Sequence, residues 1–108
     1  MKIIAELCQN HNGDFKIVEE MVHSAAEAGA DIAKIQSIRS KDLTHRERFD
    51  NGVIENGKVK VIKRPFKNEM ERLSKLDLTE EDHLKFIEVC KKYNITPMIT
   101  IFTLNRIN

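Results

Sequence analysis

Four side chains of this sequence are polar where their surroundings are aliphatic. Glu6 lies inside KIIAELC, Lys34 and Gln36 inside ADIAKIQS, and Thr100 inside ITPMITIF. Burying a lone carboxylate or ammonium costs several kcal/mol, so groups in such places are paired, liganded or functional. A carboxylate, an ammonium, an amide and a hydroxyl together could form a polar ligand-binding set. The plainer alternative is one structural ion pair, Glu6 with Lys34, and Gln36 at an exposed strand end. Directly after Glu6 comes QNHNG, where Asn10, His11, Asn12 and Gly13 read as a loop. His11 is either a solvated or loop-bracing residue or a catalytic one. His23, His45 and His83 read as surface residues, and no pair of histidines has metal-ligand spacing. Cys8 and Cys90 match no metal or redox spacing and read as reduced, small apolar fillers.

The elements that carry these residues follow from periodicity. Residues 2–8 suit a strand with Ile3, Ala5 and Leu7 on one face and Ile4, Glu6 and Cys8 on the other. Asp14 is an N-cap for a helix from about Phe15 to Ala28, its stripe Phe15, Val18, Val22, Ala25 and Ala26, with Gly29 as the C′ residue. A second strand over 31–37 sets Ala33 and Ile35 against Ile32, Lys34 and Gln36. The stretch 38–65 reads as an irregular, charged insertion. Within it Asn56-Gly57 marks a type I′ hairpin turn, and the basic run Lys58–Arg64 a solvated ribbon edge. A short helix over 66–74 follows. Thr79 and Asp82 form a capping box for a helix reaching about Tyr93, with Leu84, Ile87, Val89 and Cys90 inward. The third strand spans 95–102. Strand, helix, strand, helix, strand predicts α/β architecture with right-handed parallel crossovers, and the polar residues then share the face away from the helices.

The totals narrow the class. The 108 residues fit one small domain, and 41% hydrophobic with 32% charged content is that of a globular protein. No run approaches the roughly 18 apolar residues of a membrane span, and MKIIAEL is too soon interrupted for a signal peptide, so the expectation is a cytoplasmic protein with no membrane partner. A net charge of +1 gives no general field for nucleic acid.

IAELCQNHNGD, AAEAGADIAKIQS, LSKLDLTEEDH and MITIF occur in the order and approximate spacing of the N-terminal part of the sialic acid synthase family. The chain resembles these N-acetylneuraminate synthase-like (nonulosonate synthase) enzymes over essentially its whole length. The resemblance implies a TIM (β/α)8 barrel, of which this chain is the truncated N-terminal portion with about three βα units. It implies condensation of phosphoenolpyruvate with an N-acetylmannosamine-type sugar. It also implies a divalent metal (Mn or Mg) whose ligands lie on later strands, with none in this chain. On the same ground Lys34 and Thr100 contact phosphoenolpyruvate, Glu6 and Gln36 contact the sugar, and Asn10, His11, Asn12 and Gly13 shape an active-site loop.

Three departures stand out. Cys8 replaces the family's usual glycine, Ile35 stands in KIQ for a phenylalanine, and ITIF for STPF puts Ile99 and Ile101 in place of a polar residue and the proline. Three of eight strands cannot close a barrel. The expectation is therefore a chain inactive alone, which homo-oligomerises or associates with the missing barrel portion. The alternative is a non-catalytic remnant or interaction module that self-associates or docks on a full-length synthase.

Overall fold

The computed structural model describes residues 1–104. Its first strand, β1 (Ile4–Cys8), leads into α1 (Phe15–Glu27), β2 (Ile32–Ser37) and a 3-10 turn at Ser40–Asp42. There follow α2 (Arg48–Asn51), the ribbon β3 (Val53–Glu55) and β4 (Lys58–Val61), α3 (Phe66–Ser74), α4 (Glu80–Lys92) and β5 (Thr96–Ile101). The sheet has the order β1-β2-β5 with every pair parallel, and β3-β4 is a separate antiparallel pair.

Local chemistry explains the element boundaries. Asp14 accepts the Lys16 N–H at 2.9 Å and caps α1. At the other end the Ala30 N–H reaches the Ala25 carbonyl and the Gly29 N–H the Ala26 carbonyl, a Schellman closure with Gly29 at φ +88°. Thr79 and Asp82 make the reciprocal capping box of α4. Asn56 and Gly57 both have positive φ, as the hairpin turn requires. Residues 38–65, expected to be irregular outside that hairpin, also hold the 3-10 turn and α2, whose four residues are too few to show a helical period.

The core lies on one face of the sheet. Leu7, Ala33 and Ile35 pack there against Val18, Val22 and Ala25 of α1 and Phe86, Val89 and Cys90 of α4. One expectation needs correction here. Leu84 is 66% exposed and Ile87 is half-buried, whereas Phe86 is fully buried. The inward stripe of α4 runs 86, 89, 90, 93, and Leu84 lies two residues and so about 200° of helical turn from Phe86. Among the described residues, no helix is long and apolar enough to cross a membrane.

Candidate active site

Parallel register places the polar residues of the three strands side by side. Glu6 pairs with Lys34, Lys34 with Met98, and Gln36 with Thr100. In β2 the alternation is strict: Ala33, Ile35 and Ser37 are buried under the helices, and Lys34 and Gln36 lie half-buried on the other side. Glu6, Lys34, Gln36 and Thr100 therefore share one face, towards the C-terminal ends of the strands.

Glu6 is held at both of its oxygens. Oε2 lies 2.8 Å from Lys34 Nζ, and Oε1 accepts the Cys8 N–H at 3.1 Å. The hydrogen bond from Lys34 is the leading cause that holds the Glu6 carboxyl below its ordinary value, against the opposing effect of burial. The ion pair of the plainer alternative thus exists. It leaves function open, because a lysine has three donors and Glu6 occupies one.

Cys8 closes an irregularity that the sequence did not announce. Leu7 is inserted between the paired residues Glu6 and Cys8, a bulge at the site end of β1. Cys8 carries φ +51°, a left-handed conformation that glycine adopts without a steric penalty. The Glu6 carboxylate, bonded to the Cys8 N–H, holds this turn in place. The expected extended Cys8 on the Glu6 face is accordingly replaced by a left-handed residue that redirects the chain into the loop. Desolvation raises its thiol pKa first, then the neighbouring carboxylate.

In the 10–13 loop, Asn10 and Asn12 are exposed and His11 is 1% exposed. His11 Nδ1 accepts the Gly13 N–H at 2.9 Å, so the ring is neutral with its proton on Nε2. That Nε2 is buried without a partner, and burial lowers the histidine's pKa despite Asp82 nearby. Gly13, at φ +77°, fits against the connection between α3 and α4: a Cβ there would stand 2.2 Å from the Lys75 carbonyl oxygen. The structure thus favours loop bracing for His11 over a solvated position.

The other histidines divide. His23 is stacked on Tyr93 and His45 on Phe66, both near half exposure. His83, read as a surface residue, instead bonds the Thr79 carbonyl through Nδ1, and its Nε2 is buried. Its place in the first turn of α4, beside the His11 loop, covers the ring. Cys90 is fully buried, and its thiol is pushed up to about 11.

Sequence reasoning missed a cavity of about 350 Å³ beyond the sheet, walled by Phe49, Phe66, Phe102 and Met70 with Arg46 and Arg64. Next to the lining residue Phe49, Asp50 accepts the Phe66 N–H and pairs with His45, contacts that hold the Asp50 carboxyl below its ordinary value. The one signal in the sequence was Phe102, two residues beyond Thr100.

Comparison with known proteins gives a consistent picture. The NeuB family model matches residues 21–108. An N,N'-diacetyllegionaminic acid synthase of Legionella pneumophila is 35% identical over 101 residues, 93% of this chain and 27% of that protein. The enzyme of the same name from Campylobacter jejuni is 29% identical over 98% of this chain and 30% of its own length. The crystal structure of an N-acetylneuraminic acid synthetase from Leptospira borgpetersenii, in complex with citrate, superposes with a TM-score of 0.72 at 28% identity, covering 98% of this chain and 30% of that one. The chain thus spans about a third or less of the length of these relatives. With its family model matched over most of its length and the fold shared, this chain belongs to the NeuB family.

Proposed function

We propose that this chain forms the first three βα units of a TIM-barrel synthase that joins phosphoenolpyruvate to an N-acetylated mannosamine-type sugar. The observation that carries the reading is the register of Glu6, Lys34, Gln36 and Thr100 onto one helix-free face at the C-terminal strand ends, where barrel enzymes keep their sites. The homologues named as sialic and legionaminic acid synthases support it.

Lys34, oriented by Glu6, keeps two N–H donors for an anionic donor substrate. The Thr100 hydroxyl stands on the adjoining strand for the same anion. Gln36, level with Thr100 in register, and the remaining lone pairs of Glu6 suit sugar hydroxyls. Holding both substrates on one rigid sheet converts an encounter of two molecules into a positioned reaction. The enol carbon of the donor attacks the aldehyde carbon of the sugar, and the carbonyl electron pair passes to the aldehyde oxygen, which takes up a proton. Water adds to the resulting oxocarbenium carbon, so that inorganic phosphate leaves from the tetrahedral adduct.

Among the described residues no three His, Cys, Asp or Glu side chains converge as metal ligands, and Glu6 already serves Lys34 and the Cys8 N–H. These residues do not fit a divalent cation, and no step here runs through one. Completion of the barrel by further strands belongs to the same proposal, as does a cytoplasmic setting. Condensation assayed with the barrel portion supplied tests it: Lys34→Ala abolishes product, and unaltered turnover refutes the assignment.

A second reading has its own observation. Ile4 of β1 and Met98 of β5 are exposed on the polar face of the sheet, by 48% and 37%, apolar surface that self-association would cover. Light scattering behind size exclusion decides: a dimer favours association, a monomer removes it.

A further inference from the structure

Two histidines flank the seam between the 10–13 loop and the first turn of α4, and different neighbours fix their tautomers. His11 Nδ1 accepts the Gly13 N–H at 2.9 Å, so its one proton is on Nε2. His83 Nδ1 lies 2.6 Å from the Thr79 carbonyl oxygen, which also takes the His83 backbone N–H at 3.1 Å. A carbonyl only accepts, so the neutral His83 ring carries its proton on Nδ1 and keeps Nε2 as a bare acceptor. The two Nε2 atoms are therefore of opposite kind, a donor on His11 and an acceptor on His83. Both are buried, and neither has a hydrogen-bond partner. His83 and Asp82 are close enough for the charge of each to act on His11.

A buried donor without an acceptor is costly, as is the converse, and each of these two atoms supplies what the other lacks. The tautomers also exclude a metal between the rings. A metal needs the lone pair of His11 Nε2, which carries the proton, while Nδ1 is taken by Gly13. The far end of the loop is already fixed, because Gly13 fits against the Lys75 carbonyl. His11 stands in its middle, between the exposed Asn10 and Asn12.

We propose that His11 and His83 work as one unit: the Nε2–H of His11 is donated to the Nε2 of His83, directly or over one water molecule, and this bridge positions Asn10 and Asn12 at the rim of the polar face. His83 is then a positioning residue that acts through His11. The role rests on the synthase reading, which makes the loop the rim of a sugar site. The bridge exists only while both rings are neutral. A proton on His83 Nε2 sets two N–H groups against each other, and one on His11 Nδ1 expels the Gly13 N–H. Burial disfavours a charge on His11, Asp82 of α4 favours one, and His83 disfavours it. Asp14, which follows the loop, is engaged by the Lys16 N–H, and Asp77 of the α3–α4 connection by Ser40. Lys75 of that connection turns its carbonyl to Gly13. The loop is accordingly held at pH 7 and released as pH falls below 6.5.

The test reads the histidine ring nitrogens of the 108-residue chain by NMR and titrates N-acetylmannosamine into it. At pH 7 His11 should carry its proton on Nε2 and His83 on Nδ1, and the same tautomer in both rings overturns the bridge. His83→Phe keeps the ring's bulk and removes its nitrogens. It should speed solvent exchange of the His11 Nε2 proton and weaken sugar binding about tenfold, the order of one buried hydrogen bond. His83→Gln, which returns an amide oxygen near the place of Nε2, should recover most of both, and equal losses in the two variants overturn the bridge. If His83→Phe does not fold, the native tautomers and the affinity of His83→Gln decide. A lower urea midpoint with unchanged sugar affinity makes His83 structural only and overturns the positioning role. Native affinity should fall from pH 7 to pH 5, more steeply than that of His83→Phe, and parallel profiles overturn the role as well. Opposed tautomers in a chain that binds no sugar support the bridge and overturn the synthase reading, and with it the positioning role.

Discussion

The two faces of the central sheet differ in what their residues answer to. On the helix side, Leu7, Ala33 and Ile35 are at most 8% exposed and are fixed by packing. On the other side, Glu6, Lys34, Gln36 and Thr100 are only partly covered and are fixed by register and by one ion pair. Because side chains alternate along a strand, neighbouring residues serve opposite purposes. Substitution should therefore separate stability from ligand binding, residue by residue.

The largest effect belongs to the packed side. Ile35→Ala removes a side chain with no exposure and should cost about 3–4 kcal/mol, read as a lower urea midpoint. In a sheet of three strands that is enough to unfold much of the population at 25 °C. Gly13→Ala comes next at about 3 kcal/mol, because its Cβ would stand 2.2 Å from a backbone oxygen at a φ that disfavours alanine. A loss below 1 kcal/mol would show that the loop is not braced against the α3–α4 connection.

His11 adds a pH signature to that brace. Its pKa in the fold lies below 6.5, and the unfolded chain takes up the proton more readily. The contribution is complete above pH 6.5 and is lost as pH falls from there towards the depressed folded value. His11→Asn keeps an acceptor for the Gly13 N–H without a titrating group. It should flatten the stability profile in that window, and thermal melts from pH 7 to 5 check it. Glu6 has the same sign lower down: its contribution is present above about 4.5 and falls as pH drops through the lowered folded value.

The smallest change sits where the two faces meet. Cys8→Gly relieves a left-handed residue at φ +51°, and the added chain entropy of glycine offsets part of the relief. A net gain of about 1 kcal/mol is expected, and a loss would place the value of Cys8 in its thiol contacts.

Much of this division was legible in the sequence, and the reasons are local. The capping box at Thr79, the closure at Gly29 and the Asn56-Gly57 turn are set by neighbours within a few residues, and they form where the sequence puts them. Glu6, Lys34, Gln36 and Thr100 reached one face because strand alternation fixes a side as soon as the strand is placed. What the sequence hid depends on distant chain segments. The burial of His11 comes from the connection at Lys75–Leu76 and from α4. The bulge at Leu7 arises from pairing with β2, and the cavity from an insertion folding back over the end of β5. Phe86 was hidden by a shift of stripe that single-helix periodicity does not resolve.

The most direct test of the division is phosphoenolpyruvate binding by the native chain and by Lys34→Ala, with a urea midpoint recorded for each. Loss of one partly exposed ion pair should lower stability by less than about 1 kcal/mol. The account predicts that phosphoenolpyruvate binds the native chain and that Lys34→Ala, still folded, no longer binds it. Undiminished binding by a folded Lys34→Ala chain would contradict the claim that the open face is the substrate face.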